Sequence, residues 1–317
     1  MSGMTVSRRA ALLGGLGLAL AGCTSSGYRG PERTVTIAAG EPGGFYLAFA
    51  ELLAAELGRA EPLLHCTAVP TDASVTNVRR VREGTADLGL VSTDIAHAAA
   101  AGSRPFPDPV PLRAIGRVYE NYLQLVARAD GGVRELADLA GRPVVLGASG
   151  SGAAQFGERL FAAAGVRVEA QHLQLADSIA SLAAKRGDAI LWSGGIPTPA
   201  LAELNRTTPI TLLPLGGVLP ALRAAHGPVY DQVLVPAGAY RGVGELGTIG
   251  VANLLVCSPT LPSDVAEALV RVLVGRAAEL VPAQAVGTQF LDVRTLIGTG
   301  AVPLHPGAAA AYRALHG

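Results

Sequence analysis

The chain has 317 residues with 25 Lys+Arg and 25 Asp+Glu, so its formal net charge is zero. This balance, without a basic or an acidic block, gives no indication of nucleic-acid binding or of a disordered acidic tail. Half of the residues are hydrophobic but only 4% are aromatic, with 40 Gly and 21 Pro. The length suits one large or two medium domains, packed largely by small side chains.

The first 23 residues have the pattern of an export signal. Arg8 and Arg9 precede an apolar run, 10–21, that is too short to span about 30 Å of hydrocarbon. The run ends in LAGC, which resembles a bacterial lipobox with Cys23 as the lipidated residue. SRRAALL resembles a twin-arginine signal without the usual following aromatic residue, so twin-arginine and general secretory export both stay open. We expect an exported protein, in the periplasm or at the cell surface, held to a membrane by this lipid through a flexible tether over 24–33.

Strand-like and helical segments then alternate. TVTIAA precedes a helix to about Leu57, LLHCTAV a helix around Ser74 to Arg82, and ADLGLV a helix from about Asp94 to Ala101, with LRAIGRVY and YLQLVAR as two further strands. The alternation restarts after ADGG and closes with a strand from about Thr248 and a helix from Ser263. This order is typical of an α/β fold with a largely parallel sheet. It predicts two lobes, 34–127 plus 248–317 and 128–247, joined by two hinge crossings.

Glycine, serine and threonine recur where predicted strands end and helices begin. The stretches are GEPGGFY, SVTN, STD, GASGSG and WSGGIPTP. GASGSG fits neither the G-x-S-x-G nucleophile elbow nor the dinucleotide fingerprint, and the single lysine, Lys185, is not in a phosphate-binding loop. Hydroxyls and backbone N–H groups at helix starts can bind an anion without a formal positive charge. For Ser74 and Ser151, a role as helix caps alone is the alternative.

Catalytic groups are not clustered in the sequence. Six scattered histidines, no CxxC and no HExxH give neither a nucleophile with its base nor a metal site. We therefore expect a binding protein, not an enzyme, with no cofactor and no metal. Cys66 and Cys257 are interpreted as two buried small side chains, with a disulfide left open.

Five of these stretches, in this order, resemble the TAXI family of TRAP-transporter substrate-binding proteins. They are IAAGEPGGFYLAFAELLAAEL, SVTNVRRVREGTADLGLVSTDIAHAA, the segment from LRAIGRVYENY to LGASGSG, DAILWSGGIPTPAL, and VPAGAYRG with TIGVANLLV. The resemblance runs from about Val35 to Leu315. Phe45-Tyr46 stands where the family often has paired tyrosines, which removes one hydroxyl from that position.

The resemblance implies a two-lobe, type II-like periplasmic-binding-protein fold whose cleft captures a small carboxylate or acidic amino acid for a TRAP membrane permease. Arg117 is the one base near a predicted strand end that could pair with a carboxylate. An exported hydrolase and a sensory binding module of the same fold are the alternatives. The predicted ligand-binding residues lie in or beside the five stretches: Gly44, Phe45, Tyr46, Ser74, Asn77, Ser92, Asp94, Arg117, Tyr119, Ser149, Ser151, Gly152, Ser193, Gly194, Gly195 and Pro197.

Overall fold

A computed structural model describes residues 27–283, 291 and 294–316. The predicted signal sequence and the lipidated Cys23 lie outside these residues. In the described part of the chain, no helix combines the length and the apolar character needed to cross a membrane.

Ten strands form one sheet in the order β2-β1-β3-β10-β4-β7-β5-β6, with β8 on β4 and β9 on β10. Their bounds are β1 (Arg33–Ala38), β2 (Leu64–Val69), β3 (Leu88–Ser92), β4 (Arg113–Arg128), β5 (Pro143–Val145), β6 (Glu169–Gln171), β7 (Ala189–Gly194), β8 (Ile210–Leu213), β9 (Tyr230–Val235) and β10 (Leu246–Cys257).

The helices cover the two faces of this sheet, and α2, α3 and α4 each end at a glycine in the left-handed conformation, as glycine allows without a Cβ clash. Their bounds are α1 (Phe45–Ala60), α2 (Ser74–Glu83), α3 (Thr93–Ala101), α4 (Gly152–Ala164), α5 (Leu175–Ala183), α6 (Pro199–Thr207), α7 (Leu219–His226), α8 (Ser263–Gly275) and α9 (Pro306–His316). A 3-10 turn, Leu136–Leu139, precedes β5.

The sheet is mixed, which corrects the prediction of a largely parallel one. β1 pairs in parallel with β2 and β3, and β5 with β6 and β7. The two long strands β4 and β10 are antiparallel to each other and to their other neighbours. The two strands predicted at LRAIGRVY and YLQLVAR are one continuous strand, β4, of 16 residues.

Buried apolar side chains divide into two lobes. The first lobe has β1–β3, α1–α3, α8, α9, the start of β4 and the end of β10; the second lobe has the elements between them. Along β4 the packing changes lobe between Tyr119 and Tyr122, and along β10 between Val251 and Leu254. The crossings therefore lie within these two strands. The predicted boundaries after residues 127 and 247 stay predictions.

Part of the predicted tether belongs to the first lobe. Tyr28 is buried, and its backbone N–H donates to Glu61 Oε2 at 2.6 Å. The predicted tether over 24–33 stays a prediction, with Tyr28 of that segment packed on the first lobe.

Cys66 in β2 and Cys257 in β10 are free thiols. Two strands, β1 and β3, separate β2 from β10, which places them about 14 Å apart, too far for a disulfide.

Candidate functional site

A cavity of about 40 Å³ lies between the two lobes. Its wall consists of Gly40, Glu41, Gly44, Phe45, Tyr46, Ala73, Ser74, Ser92, Asn121, Ser151, Gly152, Ala153, Trp192, Ser193 and Gly194. Apart from Asn121, which lies inside β4, these residues lie at or after the carboxyl ends of β1, β2, β3, β5 and β7, which is where α/β sheets place their ligands.

Four helices begin at this wall. α1 starts after Gly44, α2 at Ser74, α3 after Ser92 and α4 after Ser151. The first backbone N–H groups of a helix have no partner within it, and the helix dipole adds a partial positive charge there. Helix starts therefore add partial positive charge around the cavity, and its described wall has no basic side chain.

Hydroxyl groups of the first lobe form one connected network. The Ser74 hydroxyl accepts the backbone N–H of Ser92 at 3.1 Å and lies 3.2 Å from the Tyr46 hydroxyl. Tyr46 in turn donates to Asn253 Oδ1 at 2.6 Å. Asn253 stands at a shift in the β4–β10 register, so the bulge turns this amide toward the wall. Burial raises the pKa of the Tyr46 phenol, so it acts as a neutral hydroxyl.

The second lobe contributes a capped helix start. The Ser151 hydroxyl accepts the Ala154 N–H at 3.0 Å, the geometry of an N-cap. Ser151 also lines the cavity, so both interpretations of this serine have a structural basis. Its hydroxyl hydrogen is not used by that cap.

Strands β4 and β7 close the cavity where the chain crosses between lobes. Asn121 Nδ2 donates to the Ser193 hydroxyl at 3.2 Å. Within the described chain, Asn121 Oδ1 and Trp192 Nε1 are buried and have no hydrogen-bond partner. Asn121 is 3% exposed and Trp192 8%.

Glu41 is the acid of the described wall, and it also bridges the lobes. Its Oε2 accepts the N–H of Leu175, the first residue of α5, at 2.6 Å. Burial raises the pKa of the Glu41 carboxyl, and this N–H partly opposes the rise.

The lobes touch through backbone at three glycines. A Cβ at Gly152 would lie 2.9 Å from the Ser92 hydroxyl oxygen, and Cβ atoms at Gly150 and Gly195 would overlap Thr76 and the Phe45 ring. The Gly150 carbonyl also accepts the N–H groups of Val75 and Thr76 at 3.1 and 3.2 Å. The lobes are therefore closed on each other beside the cavity.

Nine of the sixteen predicted ligand-binding residues line this cavity: Gly44, Phe45, Tyr46, Ser74, Ser92, Ser151, Gly152, Ser193 and Gly194. Gly195 lies directly behind this wall, against Phe45.

Two other predicted residues hold the wall from behind. Asn77 donates to the carbonyls of Ala39 and Leu90 at 2.6 and 2.7 Å, tying the loop after β1 to β3. Tyr119 packs among the rings of Phe45, Tyr46 and Phe49.

Four predicted residues lie away from the wall. Asp94 pairs with Arg159 of the second lobe. Arg117 lies in β4, with Nη2 4.0 Å from Glu120 Oε1. Ser149 is exposed, and Pro197 follows the wall segment of β7.

The sequence analysis missed six wall residues: Gly40, Glu41, Ala73, Asn121, Ala153 and Trp192. Gly40 and Glu41 are part of GEPGGFY, and Trp192 is part of WSGGIPTP. The loops that contain these residues were therefore predicted, although the residues were not. Asn121 lies between the two predicted strands, and the polar pair Glu120-Asn121 at their junction is the signal that could have found it.

The sequence matches the profile of the NMT1-like family over residues 37–314. Among solved structures, the fold is similar to the alkanesulfonate-binding protein SsuA from Xanthomonas axonopodis pv. citri bound to MOPS, at 18% identity and a TM-score of 0.52 over 89% of this chain and 99% of that one. It is also similar to the periplasmic binding protein BugD, at 15% identity and a TM-score of 0.59 over 90% and 96%. These likenesses confirm the predicted two-lobe periplasmic-binding-protein fold.

Proposed function

The chain belongs to the NMT1-like family, and from this we propose that it is an exported receptor that captures a small solute between its lobes and presents it to a membrane transporter. The observation that carries this proposal is the cavity between closed lobes, lined at the carboxyl ends of five strands. A nucleophile, base and orienting group in mutual contact do not occur in its described wall.

The proposed solute is a small carboxylate. The starts of α1, α3 and α4 and the hydroxyls of Ser92, Ser151 and Ser193 supply donors around the cavity, whereas the first N–H groups of α2 are taken by the Gly150 carbonyl. Helix N-termini favour anions, and enclosure away from water strengthens each hydrogen bond. The resemblance to TAXI receptors supports the same class.

The proposed partner is a TRAP permease, again from the TAXI resemblance, and the proposed anchor is a lipid on Cys23. The Cys23→Ser variant tests the anchor by fractionation. It is expected in the soluble exported fraction, and a variant that stays with the membrane like the wild type would contradict lipid anchoring.

Trp192 offers a direct test of binding, because it is the only tryptophan of the chain and lines the cavity. Titration of the protein with monocarboxylates, dicarboxylates and acidic amino acids should change the tryptophan fluorescence for a bound class, with one site per chain by calorimetry. The same samples, followed over hours for new products, test the hydrolase alternative. Conversion of a bound compound would overturn the receptor function.

A further inference from the structure

The cavity wall has an unusual charge balance for a site that takes an anion. The described wall contains one carboxylate, Glu41, and no Lys, Arg or His. Arg159 of the second lobe is bound to Asp94 at 2.7 Å and does not line the cavity. Glu41 itself accepts a hydrogen bond from the Leu175 N–H at the start of α5.

Helix starts can compensate about half a charge each, so one solute carboxylate can be bound here. A second carboxylate would be buried near Glu41 without a counter-ion. Burying an unpaired charge costs several kcal/mol, and two close carboxylates repel each other. The wall therefore selects against a dianion.

The same wall contains an unused donor and an unused acceptor. Trp192 Nε1–H and Asn121 Oδ1 are both buried, and neither has a protein partner in the described chain. Buried polar groups are rarely left without a hydrogen bond, and a site with such groups rejects a solute that cannot pair with them. Both residues line the cavity, so its occupant is the available partner.

We propose that the solute is a monocarboxylate whose second polar group is a neutral amide, accepting from Trp192 Nε1–H and donating to Asn121 Oδ1, and that Glu41 excludes dicarboxylates. This inference rests on the proposed receptor function and names its solute class. The carboxylate lies toward the helix starts, and the amide toward the β4–β7 side.

Matched pairs of compounds test this selection, because an amide and a carboxylate have nearly the same shape. We would measure by calorimetry the binding of oxamate against oxalate and of succinamate against succinate, with butyrate as a probe that lacks the second polar group. In at least one pair, the amide should bind at least about tenfold more tightly than the dicarboxylate, which corresponds to one net charge-assisted contact. Dicarboxylates that bind as tightly as their amides in both pairs, or no binding by either amide, would overturn the inference.

Variants then test which residues cause the preference for the amide. Glu41→Gln should narrow the preference for the amide over the dicarboxylate, while the exposed Glu203→Gln should leave it unchanged. Trp192→Phe and Asn121→Leu should each weaken the amide about tenfold and butyrate much less. Circular dichroism and melting confirm that each variant is folded. Equal losses for amide and butyrate in both variants would contradict the assigned contacts.

Failure of this inference is distinguishable from failure of the proposed function. A chain that binds a dicarboxylate tightly, or that retains another solute when purified, would still be a receptor. A chain that retains and binds no solute would contradict both.

Discussion

Asp94 and Arg159 join the two lobes through a buried ion pair. Asp94, in the first turn of α3, accepts from Arg159 Nη1 of α4 at 2.7 Å and from the Tyr230 hydroxyl of β9 at 2.9 Å. The Asp94 side chain is 3% exposed and that of Arg159 16%. The neighbouring Asp94 charge raises the pKa of Arg159 against the opposing effect of burial, so the guanidinium stays charged. We expect this contact to break when the lobes separate.

The Arg159→Met substitution should weaken solute binding, although residue 159 does not contact the solute. In the closed state the variant leaves Asp94 with Tyr230 alone, whereas in the open state Asp94 can be hydrated. Removing one partner of a buried pair costs about 3 kcal/mol or more, so we expect affinity to fall at least about tenfold. Small-angle scattering of the solute-free variant should show a larger radius of gyration.

The matched control is Arg206→Met, which breaks an exposed pair with Glu203. Exposed pairs contribute little, so its affinity and radius should equal those of the wild type. If Arg159→Met also matches the wild type in both measurements, the pair does not stabilise closure.

Gly195→Ala should hold the lobes apart. The added methyl would overlap the Phe45 ring of the opposite lobe. Overpacking costs about 1–3 kcal/mol, which predicts a loss of affinity of about tenfold to hundredfold by calorimetry. Gly244→Ala is the control, because its Cβ would meet no atom within 4 Å. Equal affinities for the two variants would show that closure does not need the Gly195 contact.

Two substitutions separate the cap and the cavity roles of Ser151. Ser151→Ala loses the cap to Ala154 N–H and should lower the free energy of unfolding by about 1 kcal/mol, whereas Ser151→Gly should cost only a few tenths. Both lose the hydroxyl that could donate to a solute carboxylate, so both should weaken binding about tenfold or more. Melting curves and calorimetry test this. Unchanged affinity of the Ser151→Gly variant would show that Ser151 acts only as a helix cap.

The Glu41 carboxyl should make stability fall as the pH rises. Burial raises its pKa in the folded chain above the ordinary 4.5, so between the two values the folded chain binds more protons than the unfolded chain. Stability contributed by the protonated form is present below 4.5 and is lost as the pH rises through the raised pKa. Glu41→Gln keeps an acceptor for the Leu175 N–H and cannot titrate.

The difference in melting temperature, Glu41→Gln minus wild type, should therefore increase from pH 4.5 upward and level off above the raised pKa. Glu203→Gln, at an exposed acid, should show no such trend. A Glu41→Gln difference that stays constant with pH would contradict the burial effect.

Elements whose signals are local were predictable from the sequence. The helix Ser263–Gly275 follows from its apolar spacing, and the helix start at Gly152 follows from its capping residue Ser151. Neither signal needs knowledge of distant parts of the chain. β4 was divided in two because Glu120 and Asn121 interrupt its apolar pattern. These polar residues mark the crossing between lobes, where the strand leaves one hydrophobic core and enters the other.

The loops that line the cavity were predictable from the sequence, but the individual side-chain contacts were not. Asp94 follows a strand end and was predicted to bind the solute, yet its partners Arg159 and Tyr230 are 65 and 136 residues away in sequence. Trp192 was missed because an aromatic residue within a predicted strand is more often part of the core. Glu41 was missed because an acid in a glycine-rich loop is typical of an exposed turn.

Native mass spectrometry of the freshly exported protein tests the central claim most directly. Closed lobes around a cavity predict a retained solute: the wild-type spectrum should show a second species, heavier by one small carboxylic acid, that disappears on unfolding. The Gly195→Ala protein, expressed and purified in parallel, should show much less of it. A wild-type spectrum with only the unliganded mass, combined with no binding in the tryptophan titrations, would contradict the assignment as a solute receptor.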